Sequence, residues 1–157
     1  MKKIKWTDLI LFIVSAELVG VLSSLVSGGY SSFYTELLKP PLSPPGIVFP
    51  VVWGILYALM GISAYLIYNA EKTAQRKASL VIYTVQLLVN FSWSVIFFRF
   101  QALGIAAITA VVLFILVAAM VMNFRKVNFP AAALNIPYLL WSLFASYLAI
   151  GNWVLNR

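Results

Sequence analysis

Five stretches without a single charged residue follow one another along this chain, and each is about as long as a bilayer is thick. They run from Leu18 to Thr35 (18 residues), Pro40 to Ala70 (31), Ala78 to Phe98 (21), Phe100 to Phe124 (25) and Val127 to Asn156 (30). A further apolar run, Leu9 to Ala16, is parted from the first only by Glu17. A hydrocarbon core about 30 Å thick is crossed by roughly 20 apolar residues at about 1.5 Å of rise each. The pattern therefore predicts membrane spans near residues 9–27, 48–70, 79–98, 102–124 and 131–155. Barrel strands would alternate apolar and polar over about ten residues, whereas Ala106 to Met122 is apolar on every face except at Thr109. With 63% hydrophobic and 10% charged residues, too little polar side chain remains to cover a water-facing globule, where about 25% charge is usual. The expected fold is an all-α integral membrane protein, a single domain over 1–157 made of a five-transmembrane-helix bundle.

An odd number of spans puts the two termini on opposite sides. Lys2, Lys3, Lys5, Lys72, Arg76, Lys77, Arg125 and Lys126 fall on one side, and Lys39, Arg99 and Arg157 on the other. By the positive-inside rule the N-terminus is cytoplasmic and the C-terminus outside, with the cell membrane as the expected location. A cleaved signal peptide would also begin with basic residues and an apolar run. Glu17 interrupts that run, however, and losing it would strip the bundle of a packing partner, so residues 9–27 are read as a helix. The connector from Ser27 to Ile47 is then external, and it is the only long one. Its second half holds Pro40, Pro41, Pro44 and Pro45. Proline fixes φ and removes a donor, which predicts a stiff, extended strap.

The absence of Cys and His removes the ligands of the usual zinc and iron-sulfur sites and the base of His-dependent triads. No metal site is expected. The formal charge of +7 sits in short connectors and makes no basic stripe, so no nucleic-acid partner is expected. Glu17 is the one carboxylate inside a span. An intramembrane acid is a functional hypothesis in itself, for a proton or a cation; the plainer reading is a protonated carboxyl hydrogen-bonded to a neighbouring helix. Arg99, at the outer end of the third span, reads as a snorkelling side chain.

Aromatic residues are more numerous than interfacial anchoring needs: five Trp, eight Tyr and eleven Phe. Trp6 and Trp153 lie at span ends and fit an interfacial belt. Trp53, Trp93 and Trp141 fall inside spans, roughly 5–20 Å below the surface crossed by the strap if each residue rises about 1.5 Å. Trp141, Ala145, Leu148 and Asn152 share one helical face, Asn90 and Trp93 another, and Trp53 and Tyr57 a third. Such faces build either a mostly aromatic pocket for a large flat ligand or ordinary helix packing. Pro50 belongs in the first turn of the second span. Pro137, inside the fifth, deprives the Ala133 carbonyl of its donor and predicts a kink able to widen a cavity. Gly54, Ala58, Gly61, Ala106 and Ala110 permit close approach of helices or of protomers.

Several of these residues also stand in recognisable motifs. Tyr34-x4-Lys39-Pro40-x3-Pro44-Pro45-x3-Phe49-Pro50-x2-Trp53 resembles the signature of the translocator proteins, also called tryptophan-rich sensory proteins or the peripheral benzodiazepine receptor family. Asn90-Phe91-Ser92-Trp93 followed by Phe97-Phe98 is similar as well, as is Pro137-Tyr138-Leu139-Leu140-Trp141 with Phe144-Ala145 and Tyr147-Leu148. The resemblance covers essentially the whole chain. It implies a five-helix bundle, often a homodimer, with a pocket in the outer half that binds porphyrins, haem precursors and synthetic aromatic ligands. The matching positions Tyr34, Pro44, Trp53, Asn90, Trp93, Trp141 and Ala145 would line it. After Tyr147 the first basic residue is Arg157, so the cholesterol motif of animal members is not completed. With no His or Cys as axial ligand, metal-free porphyrins are the expected ligands, and no cofactor is required.

Three functions follow as expectations. The first is binding and sensing of tetrapyrroles, or moving them through the membrane. The second is light-dependent breakdown of a bound porphyrin, with Trp53 and Trp141 as radical carriers. The third is a small-solute carrier that uses Glu17.

Overall fold

The computed structural model describes residues 4–28 and 32–157; Lys2, Lys3 and residues 29–31 of the long connector lie outside the described residues. Among the described residues, five helices are long and apolar enough to cross a membrane. The first is α1 (Trp6–Ser27), followed by a single turn, α2 (Ser32–Glu36), and then α3 (Val48–Tyr68). Next, α4 (Ala74–Ser94) runs on through a π-helical turn, Val95–Arg99, and α5 (Leu103–Val127) returns. The fifth crossing is made of two pieces, α6 (Phe129–Ala133) and α7 (Ile136–Leu155).

α5 packs along α4 and α7, and α1 packs along α3 and more lightly against α4. Side chains outside the core explain why such a bundle needs lipid: Leu11, Leu25, Ile55, Leu88, Ile108, Ile115 and Leu140 are each more than half exposed. Close approach is bought by small residues inside the chain. A Cβ on Gly61 would stand 2.6 Å from Ile13 Cα and 2.8 Å from the Phe12 carbonyl oxygen, so only glycine lets α1 lie this near α3. Ala106 and Ala110 are buried, and their carbonyls accept from Trp93 Nε1 at 3.0 Å and Ser146 Oγ at 3.0 Å. Both alanines serve the α4–α5–α7 packing.

Helix ends are set by local chemistry. Thr73 Oγ1 accepts from the Arg76 backbone N–H at 3.1 Å and starts α4. Arg99 donates from Nη1 to the Val26 carbonyl at 3.0 Å, satisfying a free acceptor at the end of α1. Pro137 ends up in the first turn of α7, where its missing donor costs little, and the chain breaks just before it. Asn135 seals that break, donating from Nδ2 to the Ala131 carbonyl at 2.9 Å and to Ser63 Oγ at 2.5 Å, while Ser63 Oγ donates to the Ala131 carbonyl at 2.8 Å. The break lies more than two turns before Ala145, so Pro137 shapes the opposite end of the bundle from the strap.

The strap runs across that strap-side end and is fastened to α7. The Leu38 N–H donates to Asn156 Oδ1 at 2.9 Å, and Asn156 Nδ2 donates to the Leu38 carbonyl at 2.8 Å. Tyr147 Oη donates to the Pro41 carbonyl at 2.9 Å. Pro40 is buried against Gly151, where a Cβ would come within 2.6 Å of the proline ring.

Candidate functional site

Beneath the strap lies a cavity of about 400 Å³, within the range of small-molecule sites. Four long helices and Tyr34 of α2 build its wall. Phe49, Trp53, Gly54 and Tyr57 come from α3, and Asn90, Trp93, Phe97 and Phe98 from α4 and its π turn. α7 adds Ala145, Leu148, Ala149 and Asn152; α1 adds Glu17, Gly20, Ser23 and Ser27. A π turn inserts one extra residue into a helix and re-aims its side chains, and here the Phe100 N–H reaches back five residues to the Val95 carbonyl at 3.1 Å. Phe97 is thereby placed against the Trp93 ring, with centroids 5.1 Å apart and planes 21° from parallel.

Tyr34, the buried residue of α2, closes the upper wall. Its ring meets Phe49 edge-on at 5.6 Å and Phe97 at 6.4 Å, and Lys39 Nζ lies over the ring, 4.9 Å from its centroid. Burial pushes the phenol pKa up, opposed by a hydrogen bond with the Ser43 side chain. The strap thus holds the lid residue from two sides.

Deeper in the bundle a chain of side-chain bonds begins at the cavity. Tyr57 Oη donates to Asn90 Oδ1 at 3.0 Å, Asn90 Nδ2 donates to Tyr138 Oη at 2.8 Å, and Tyr138 Oη donates to Gln86 Oε1 at 2.8 Å. All four residues are buried. Satisfying these groups internally fixes the amide of Asn90 and the ring of Tyr57 as rigid wall elements. Trp53 is braced by Tyr57 at 5.6 Å and by Tyr138 at 5.9 Å.

Of the residues expected to line a pocket, Tyr34, Trp53, Asn90, Trp93 and Ala145 come together on this wall. Pro44 is held in the strap, outside the lining. Trp141 stands in the layer behind, its ring 6.0 Å from Phe49, with its buried Nε1 lacking an acceptor. It occupies the same α7 face as Ala145 but lies one turn deeper, where Phe49 intervenes. The contribution of α1 was not foreseen, although Glu17, Gly20, Ser24 and Ser27 recur at helical spacing and carried the signal. Glu17 makes no ion pair or hydrogen bond among the described residues, so the expectation of a carboxyl bonded to a neighbouring helix does not hold in this arrangement. Among the described residues there is also no cluster of three metal-ligating side chains.

Residues 11–154 match the TspO/MBR family. The chain is 37% identical over 119 residues to the tryptophan-rich protein TspO of Chlorobaculum tepidum, covering 75% of each chain. Against the translocator protein of Bos taurus it is 32% identical over 155 residues, which is 97% of this chain and 92% of the relative. It is 34% identical over 116 residues to the tryptophan-rich sensory protein of Cereibacter sphaeroides, 74% of this chain and 72% of the other.

Proposed function

The chain belongs to the TspO/MBR family, and from that premise we propose that it binds porphyrins and related flat apolar ligands in the cavity under the strap, as a sensor or transporter. The observation that carries this reading is the wall itself. Trp53, Trp93, Phe49 and Phe97 present aromatic surface around about 400 Å³, and stacking on such rings rewards a large planar ligand. Small residues at Gly54, Ala145 and Ala149 leave the space that a wider side chain would fill. The strap, pinned to α7 at Leu38, Pro40 and Pro41, covers the ligand from above. Lys5, Lys72, Arg76, Lys77, Arg125 and Lys126 gather at the end away from the strap, which supports a cytoplasmic N-terminus and a cavity in the outer half of the membrane. The active form on this reading is a homodimer in the cell membrane.

A second reading is light-dependent breakdown of the bound porphyrin. It is favoured by the presence of Trp53 in the cavity wall, since an indole beside an excited pigment is open to one-electron oxidation. The test is titration of the purified protein with protoporphyrin in the dark, then illumination and mass analysis of pigment and protein. Saturable binding with intact pigment supports the sensor or transporter. Conversion of many porphyrins per protein to one product, with Trp53 and Trp141 surviving, makes it an enzyme. Failure of saturable binding overturns the porphyrin reading and leaves a solute carrier working through Glu17.

A further inference from the structure

The polar groups of the cavity divide unevenly between used and unused. Four of its donors are occupied within the protein: Trp93 Nε1 by the Ala106 carbonyl, Asn90 Nδ2 by Tyr138, Tyr57 Oη by Asn90, and Ser23 Oγ by the Phe91 carbonyl at 3.2 Å. Among the described residues, what remains is the Glu17 carboxylate, the Asn152 amide and two serine hydroxyls, with no cationic group beside them. The Glu17 carboxylate, on α1, lines the cavity without an ion pair or hydrogen bond among the described residues. Asn152, on α7, is 3% exposed and its Oδ1 has no donor. No Lys or Arg is among the lining residues. Ser24 and Ser94 keep hydroxyls that serve either way.

A carboxylate held in a low-dielectric wall is costly unless it is paired, and an intramembrane acid normally faces an interior partner. Here no described residue supplies one, while an open, apolar, ring-lined space adjoins the group. The complement of such a wall is a planar ligand that brings the positive charge and the N–H donors itself. We infer that the cavity selects flat aromatic ligands bearing a protonated nitrogen, which donates to the Glu17 carboxylate, with a second N–H received by Asn152 Oδ1 in longer ligands. Glu17 lies ten residues below Ser27, about 15 Å down α1 at about 1.5 Å per residue, whereas Asn152 is three residues from the end of α7 at Leu155. The two acceptors therefore read a ligand at different depths. A cation near a carboxylate makes a shorter and stronger hydrogen bond than a neutral donor does, so charge is discriminated at Glu17 while stacking is indifferent to it.

The inference rests on the reading of this cavity as the ligand site, and the experiment separates the two. The full-length protein in neutral phosphatidylcholine nanodiscs is titrated with 9-aminoacridine, a cation at neutral pH, and with acridine, neutral there, each also by displacement of protoporphyrin. The wild type is expected to bind 9-aminoacridine about tenfold more tightly than acridine or better. Glu17→Gln is expected to erase that preference, read as the ratio of the two acridine affinities within the same variant, and Glu17→Asp to restore part of it. Equal affinities for the two acridines in the wild type, or a preference that survives Glu17→Gln, overturns the inference even when protoporphyrin binds. Should protoporphyrin fail to bind while the Glu17-dependent preference is seen, the porphyrin reading falls and this one stands. Helical circular dichroism and a cooperative thermal transition like those of the wild type show that Glu17→Gln has folded.

Discussion

Asn90 donates from Nδ2 to Tyr138 Oη at 2.8 Å, joining a cavity wall on α4 to a fully buried phenol on α7. Through Tyr57 on one side and Gln86 on the other, the bond ties three helices together in the middle of the bundle. It also explains why Asn90 is rigid enough to shape a ligand site.

Asn90→Ala is therefore expected to leave both the Tyr57 and the Tyr138 hydroxyls short of a partner. Hydrogen bonds between membrane helices are each worth about 0.6 kcal/mol, up to about 1.7, so the loss should be about 1–2 kcal/mol. Thermal unfolding in detergent measures it. Asn90→Asp, whose protonated carboxyl keeps an acceptor for Tyr57 and a donor for Tyr138, should lose less when unfolding is followed at about pH 4; an equal loss there would mean that the network does not act as a chain.

Gly61 and Gly54 make a matched pair on α3. A Cβ at Gly61 meets the α1 backbone at 2.6 Å, whereas nothing lies within 4 Å of one at Gly54. Backbone cannot swing aside as a side chain can, and overpacking costs about 1–3 kcal/mol. Gly61→Ala should lower the unfolding temperature while Gly54→Ala leaves it nearly unchanged and narrows the cavity. A stable Gly61→Ala protein would show that α1 is not held to α3 by this approach.

The two interior indoles Trp53 and Trp141 should differ in binding. Trp53 lines the cavity and Trp141 touches Phe49 from behind. Trp53→Ala is expected to weaken protoporphyrin affinity by about 1–3 kcal/mol, the scale of a lost aromatic contact with its buried area. Trp141→Phe should change it by less than about 0.5 kcal/mol. Equilibrium titration of both variants decides, and a reversed order would place Trp141 at the ligand.

Fastening of the strap can be tested without a ligand. Tyr147→Phe removes the bond to the Pro41 carbonyl, and Gly151→Ala forces a methyl group into the Pro40 ring. An exposed hydrogen bond of this kind is worth about 0.5–1.5 kcal/mol. Cleavage of the strap by a protease should be several-fold faster in either variant, with cleavage between α4 and α5 unchanged. Equal rates at both places in wild type and variants would mean that these contacts do not restrain it.

The amino-acid sequence by itself determined that this chain is an all-α membrane bundle, because uncharged runs of 18 to 31 residues leave the backbone no other way to satisfy its hydrogen bonds in lipid. Tyr34, Trp53, Asn90 and Trp93 were legible too, since helical spacing and motif mark a face. Which face meets which was decided only by tertiary structure. Trp141 and Ala145 share a stripe on α7, yet Phe49 comes between the deeper one and the cavity. Pro137 looked like an interior kink until the break before it proved to be sealed by Asn135 and Ser63, from helices 72 residues apart in sequence. Glu17 could be read as paired or unpaired, and only the placement of every neighbouring helix left it facing open space. Periodicity fixes the angle of a side chain about its own helix, while rotation and depth of one helix against another depend on contacts such as Gly61 on Ile13 that no single stretch of sequence contains.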